Sequence, residues 1–423
     1  MTRRSGARPA PPRYRGDRQI KNQSFPLSFL SLNSSAQKDS YLQQLPLTRE
    51  ALHDLHPTLR TAIYHELTEH GLEHQVDPAI LSSLKADYQT NVARNDVISH
   101  ELREVLTRFS AKNIPVQLLK GAIYLVVPVF PHFAIRFMSD IDLFVSDDDF
   151  GLAQRLMRQM GYQATTLEKK RDLNFEHPER LCAIDLHSDQ FESKHSGMIP
   201  SASYWKNAVT KSFHKIEVRI PSATDQLWHL FYHSYFRHSY LSRPDAPEVL
   251  YEAWMLVDKY ATELDYRLLF ERADTMKYEK LFALMLLFLE RRCGLSVPPQ
   301  IHGAQGQGFV RERHWFIFSS AFPKSLYHAL GRFNKVLLRS GGLIDKLKCH
   351  FRVVLIDSVI RENQEVILEA YGLRRAFWAL PLLKVIHALR VGALHVVICF
   401  LFLVFFAQYH FAPRTLRWNS NRP

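Results

Sequence analysis

Apolar residues recur at Ile98, Leu102, Val105, Leu106 and Phe109. That is the i, i+4, i+7, i+8, i+11 spacing of one face of an amphipathic helix. From about Leu47 to Phe109 the pattern is helical with few Gly or Pro, and Asn113 breaks it. The period then changes. Ile114 to Leu119 is a short β-like run ending at Lys120-Gly121, and Ala122 to Val127 reads as a short helix stopped by Pro128 and Pro131. Asp140 to Val145 is the next strand. Ser146 is placed to cap a helix whose first turn holds Asp147, Asp148 and Asp149, where negative charge suits the helix dipole. Leu152, Leu156 and Met160 are its expected buried face, and Gly161 its end. After a polar stretch, Leu181 to His187 is a further strand. Beyond Pro221 the segments 224–242, 246–260, 264–291 and 313–338 lack strand alternation and read as helices. The pattern predicts a small α/β unit within a largely helical chain.

Candidate chemistry sits at the ends of those strands. Asp140 and Asp142 are two apart inside an apolar run, so on a strand both carboxylates share one face. Two carboxylates held that close in an apolar setting repel and need compensation. A divalent cation supplies it, and Mg²⁺ favours one or two carboxylates together with substrate phosphates. Asp185, from Ile184-Asp185-Leu186, would come alongside on the third strand to complete a second metal position, or draw a proton from an attacking hydroxyl. Gly121 would let the backbone approach a phosphate, with Lys120 and Arg136 pairing to its oxygens. His187 faces the same way as Asp185 and is an accessory candidate for orienting substrate or water; a packed histidine beside the site reads equally well.

Each piece is common alone; the order carries the signal. The pattern resembles the DNA polymerase beta-type nucleotidyltransferase superfamily, whose core has a glycine motif, an acid-x-acid strand and a third acid on a later strand. More narrowly, "IPVQLLKGAIYL", "IRFMSDIDLFV", "LMRQMGY", "IDLHSD" and "IPSATDQLWHLFYHS" resemble the bacterial family of uncharacterised nucleotidyltransferases, from about 98 to about 260, and "QEVILEAYGL" at 364–373 resembles its tail. The resemblance implies an α+β fold: a small mixed-sheet nucleotidyltransferase core flanked by a helical N-terminal segment and a helical C-terminal domain. It implies an NTP donor, Mg²⁺ or Mn²⁺, and transfer of a nucleoside monophosphate to an acceptor hydroxyl or similar group. By position it makes Asp140, Asp142 and Asp185 the metal carboxylates and Gly121 the glycine of the donor loop. The superfamily's glycine is usually followed by Ser or Gly; here Ala122 follows and Lys120 precedes, so Lys120 would stand in for the serine's phosphate contact. A catalytically inactive NTP-binding protein, or a membrane-associated assembly protein on the same fold, is the alternative.

Other polar residues offer less. His229 and His233 are i, i+4, followed by His238, but no Glu or Cys completes a zinc set, and aromatic neighbours suggest a packed helix. Glu252 could face the cleft, but a solvated face is the expected reading. The net charge of +12 and pI near 9.5 favour anionic partners without choosing among them. The excess is concentrated in the tails, and no RNA-binding module or DNA partner is expected. The acceptor is open: a small molecule, a glycan precursor, a protein or an RNA. Four scattered cysteines form no CxxC pair and fit a reducing compartment. Val391 to Ala407 is an uncharged 17-residue run, where about 20 is usual for a span. Basic residues precede it and aromatics follow, as at membrane anchors. A buried or surface-lying helix is the other reading. The expected location is cytoplasmic, with this segment a candidate attachment to the inner membrane. The expected organisation is a disordered basic arm (1–24), a helical segment (25–90), the core (91–220), a helical domain (221–385), an apolar helix (386–412) and a basic tail (413–423).

Overall fold

A computed structural model describes residues 27–32, 34–44, 47–49, 52, 55–165, 172–189, 201–234, 246–276 and 279–295. The basic arm, the segment 313–338, the 364–373 motif, the apolar run at 391–407 and the basic tail lie outside them. Among the described residues no helix is long and apolar enough to cross a membrane. The chain divides into two compact units. One takes residues 1–232, 245–272 and 285–298 and carries the sheet; the other takes 233–244, 273–284 and 299–423.

Among the described residues, four helices precede the sheet: α1 (Leu27–Leu30), α2 (Ser35–Gln44), α3 (Pro57–Glu69) and α4 (Pro78–Ser110). The starts of α3 and α4 follow from their sequences. His56 and Asp77 accept hydrogen bonds from first-turn amides, and each is followed by a proline that needs no donor there. Ile98, Leu102, Val105, Leu106 and Phe109 of α4 are all buried, as their spacing predicts, and Asn113 turns the chain with φ 56°. The same helix also buries Asn91, Asn95 and Glu101.

The sheet strands are β1 (Gln117–Leu119), β2 (Asp140–Phe144), β3 (Gln163–Ala164), β4 (Asp172–Glu176), β5 (Ala183–His187), β6 (Val209–Phe213) and β7 (Ile216–Ile220). Their spatial order is β3-β4-β5-β2-β1-β7-β6. β2 lies parallel to β5 and antiparallel to β1; β1 lies parallel to β7; β4 is antiparallel to β5. The fold is therefore α+β with a mixed sheet. Ile141 and Leu143 of β2 and Ile184 and Leu186 of β5 are fully buried and alternate with the acidic positions, so one face feeds the core and the other carries the polar groups.

Helix α5 (Asp147–Gln159) joins β2 to the outer strands. Ser146 Oγ accepts from Asp149 N at 3.1 Å, and Gly161 turns the chain with φ 92°. Its buried face is Phe150, Ala153, Leu156 and Met157; Leu152 and Met160 are only half-buried. The expected stripe was thus rotated by part of a turn. Four strands were not anticipated. β4 carries only two buried apolar side chains, Leu173 and Phe175, and reads as polar. The β6–β7 hairpin turns at His214 and Lys215, both at positive φ, without the Asn-Gly signal of such turns. Helices α6 (Ser201–Lys206), α7 (Ala223–Tyr232), α8 (Pro247–Lys259), α9 (Tyr266–Thr275) and α10 (Glu279–Cys293) complete the described residues.

Candidate functional site

The parallel pairing of β2 and β5 sets Asp142 opposite Asp185 and Phe144 opposite His187. Because strand side chains alternate, Asp142, Asp185 and His187 project from one face of the sheet. All three are buried, and one ligand atom from each can be chosen so that all lie within 4.8 Å of one another. Asp140 shares that face of β2 and is half-buried, with Ser139 Oγ donating to its Oδ1 at 3.0 Å. Chain segments more than forty residues apart thus bring two carboxylates and an imidazole together, with Asp140 on the same face of β2 but outside that group.

The electrostatics of the group are uneven. Burial pushes the Asp142 carboxyl up, but the adjacent Lys120 ammonium and a hydrogen bond from His187 overcome this and hold it well below the usual carboxylate range. Lys120 Nζ forms an ion pair with Asp142 Oδ1, and His187 Nε2 lies 3.1 Å from the same oxygen. Since an ionised carboxylate only accepts, His187 donates through Nε2. Asp140 goes the other way. Burial raises its proton affinity, Asp142 and Asp185 raise it further, and Lys120 only partly opposes them. The field at Asp140 therefore stays negative with the lysine already in place. Two carboxylates and one imidazole in a negative field are a donor set that can hold a metal ion. The residues fit a divalent cation.

Neighbouring elements hold these groups in position. Asn174, opposite Asp185 on β4, donates through Nδ2 to Asp185 Oδ1 at 2.6 Å, while Thr165 Oγ1 donates to Asn174 Oδ1 at 2.8 Å. Glu101 of α4 accepts from the amides of Leu181 and Cys182 at 2.8 and 3.3 Å and so anchors the entry to β5. The loop 129–139 leading into β2 is tied down by its carbonyls. Asn91 donates to Ala134 O, and Asn95 to Phe133 O at 2.7 Å and Arg136 O at 3.0 Å. Arg94 Nε reaches Met138 O and Thr61 Oγ1 reaches Ile135 O, both at 2.7 Å. Buried carbonyls need such donors, which accounts for polar side chains on the inner face of α4. None of these positioning residues was singled out from sequence; the signal was Asn91 and Asn95, four apart, and Glu101 on a helix face that is mostly apolar.

The remaining candidates fall as follows. Lys120 and Gly121 stand immediately after β1, in a short 3-10 turn (Lys120–Leu125). Gly121 is buried, and a Cβ there would lie 2.7 Å from Met138 Cγ, so in this structure the close approach is to a side chain. Arg136 pairs through Nε with Glu252 Oε2 at 2.9 Å, and Tyr124 OH donates to Glu252 Oε1 at 2.9 Å. Glu252 is accordingly buried rather than solvated: α8 turns it inward, where the guanidinium forms an ion pair with one oxygen and the phenol donates to the other. His229 is buried in α7. Among the described residues, Asp142, Asp185 and His187 form the one group suited to hold a metal ion.

A family model described as "Uncharacterised nucleotidyltransferase" matches residues 53–294, more than half of the chain. No curated protein matches the sequence. Among solved structures, the chain is similar to the crystal structure of ANT(2'')-Ia in complex with adenylyl-2''-tobramycin, at 16% identity over 46% of this chain and 97% of that one, with a TM-score of 0.28. The solution structure of the antibiotic-resistance factor ANT(2'')-Ia gives 15% identity over 48% of this chain and 95% of that one, again with a TM-score of 0.28.

Proposed function

The chain belongs to the uncharacterised nucleotidyltransferase family, and on that premise we propose that it moves a nucleoside monophosphate from an NTP to an acceptor hydroxyl or similar group. The observation that carries this reading is the register of Asp142 with Asp185 on parallel strands, with His187 beside them and Asp140 on the same face. The proposed metal carboxylates are Asp140, Asp142 and Asp185, holding Mg²⁺ or Mn²⁺. Bound there, the cation would neutralise charge on the triphosphate and on the leaving pyrophosphate.

The chain's own groups divide the remaining work. Asp142 is kept ionised by Lys120 and His187, so a negative oxygen is ready without loss of a proton. Asn174 fixes the rotamer of Asp185. The free oxygen of Asp185 is the proposed acceptor for the proton of the attacking hydroxyl. The acceptor oxygen then bonds to the α-phosphorus while the bond to the leaving oxygen breaks and pyrophosphate departs. Lys120, Gly121 and Arg136 remain the proposed triphosphate contacts, with Arg136 also bracing α8 through Glu252. The proposed core is 91–220, with helices before and after it. The labelled product of the assay below identifies the acceptor class, and co-sedimentation of the full chain with lipid vesicles tests the proposed membrane attachment through 391–407.

The test incubates purified protein with each α-labelled NTP, Mg²⁺ or Mn²⁺ and cell extract, reading pyrophosphate release and labelled product. Asp140→Asn and Asp185→Asn, each with an unchanged circular dichroism spectrum, should lower transfer at least a hundredfold. Transfer at the original rate in either variant removes that carboxylate from the site. NTP binding without turnover in the original protein points to the inactive binding protein instead.

A further inference from the structure

We propose that Lys120 is a resident counter-ion of the acidic centre that competes with the divalent cation for Asp142, so that metal entry requires the ammonium to leave. The proposal rests on the reading of the centre given above and concerns how that centre is regulated.

Three observations carry it. First, the Lys120 ammonium and the His187 imidazole both address Asp142 Oδ1, on the one carboxylate that is 2% exposed and belongs to the metal-competent group. An ammonium and a metal ion drawn to the same carboxylate repel each other and compete for its charge. Second, Lys120 sits at φ 48°, in the left-handed region, although it is not glycine. A side chain with a Cβ is disfavoured there by about 1–2 kcal/mol. The strain is retained at a position where glycine would relieve it, and the next residue, Gly121, has an ordinary φ. At this position the side chain reaches Asp142 on the neighbouring strand β2. Third, Lys120 is not sealed in: its side chain is 16% exposed, and its stem of four methylenes can swing the charge away without moving the strand.

The arrangement has a consequence for order and selectivity. Without metal, the buried Asp142 charge is compensated, and the sheet is not destabilised by an unpaired carboxylate. A cation must supply more than the ammonium does to displace it, which sets a threshold on metal affinity. Once released, the ammonium needs a new anion. A triphosphate arriving with the metal provides one, so metal and nucleotide would bind better together than separately. This gives the lysine before the glycine a function distinct from a permanent phosphate contact.

The test measures Mn²⁺ binding to the full chain in the absence of nucleotide, by isothermal titration and by loss of the free Mn²⁺ electron paramagnetic resonance signal. Lys120→Met removes the ammonium and keeps the stem; Lys120→Gly removes it and relieves the positive φ, so that a folding defect in the first does not decide the result. Both should bind Mn²⁺ about tenfold or more tightly than the original protein, as expected when a competing unit charge is taken from the ligand oxygen. Mn²⁺ should also raise their melting temperatures by a larger margin. Equal or weaker Mn²⁺ binding in both variants overturns the proposal. Asp185→Asn is the separate control on the centre itself. If it loses Mn²⁺ binding while the Lys120 variants gain none, the exchange fails and the centre stands. If it binds as the original protein does, the centre fails.

Discussion

Gly121→Ala separates two reasons for a glycine after β1. The sequence suggests that the backbone must lie bare for a phosphate. The structure offers another reason: an added Cβ would come within 2.7 Å of Met138 Cγ and 3.0 Å of its Sδ. Carbon contacts are comfortable at about 3.5–4.0 Å, so the methionine would have to retreat by roughly 1 Å. Its backbone cannot follow freely, because Met138 O is held by Arg94 at 2.7 Å and the side chain is 4% exposed. The methionine's own flexibility absorbs part of the clash. An overpacking cost of about 1–3 kcal/mol is expected for Gly121→Ala. Met138→Ala alone should cost about 2–5 kcal/mol through the cavity it leaves. Together the two should cost about 1–3 kcal/mol less than their sum, because the new methyl enters the vacated space. Equilibrium urea unfolding of the four proteins in a double-mutant cycle measures this. Additivity to within about 0.5 kcal/mol would refute the packing argument. NTP affinity in the double variant then decides what remains. Recovery with stability assigns the glycine to packing, whereas loss despite recovered stability restores the phosphate role.

Two further predictions concern the scaffold around the site. His56 caps α3, its Nδ1 accepting from Thr58 N at 3.2 Å, and burial with the nearby Arg136 charge pushes its pKa from 6.5 down to about 4. The unfolded chain therefore takes up this proton first. The stability linked to keeping this buried imidazole neutral is complete above about pH 6.5 and is lost as pH falls toward 4, an effect of about 1–3 kcal/mol. His56→Asn, which keeps an accepting oxygen that does not titrate, should flatten the acid-side fall in urea midpoint relative to the original protein; parallel curves would refute this. Glu252→Leu removes the acceptor of the buried Tyr124 hydroxyl and the carboxylate that pairs with Arg136. It should destabilise the chain by about 3 kcal/mol, toward the low end for a broken buried pair because Arg136 retains 22% exposure. A change below about 1 kcal/mol in urea unfolding would show that the pair contributes little.

Much of the candidate site was legible because its information is local. Asp140 and Asp142 are two apart in an apolar run, and period two alone puts them on one face. Ser146 with Asp149 announces a capped helix, and the i, i+4, i+7 stripe of α4 announces its buried side. What could not be read locally is pairing. That β5 lies beside β2, and in which register, depends on contacts between residues more than forty apart, and a slip of one residue would turn Asp185 to the opposite face. β4 escaped notice because an apolar pair, Leu173 and Phe175, is too short a signal, yet it delivers Asn174 to Asp185.

The sequence by itself determined the chemistry available: three acids, a lysine and a glycine at strand ends, within a chain rich enough in apolar periodicity to bury them. The tertiary structure alone decided the partnerships. It put Lys120 on Asp142, Arg136 on Glu252 and Asn91 and Asn95 under the carbonyls of the loop into β2. The physical reason is that a charge or a carbonyl taken out of water must find its complement wherever the fold brings one, and periodicity says which side a residue faces but not what waits there.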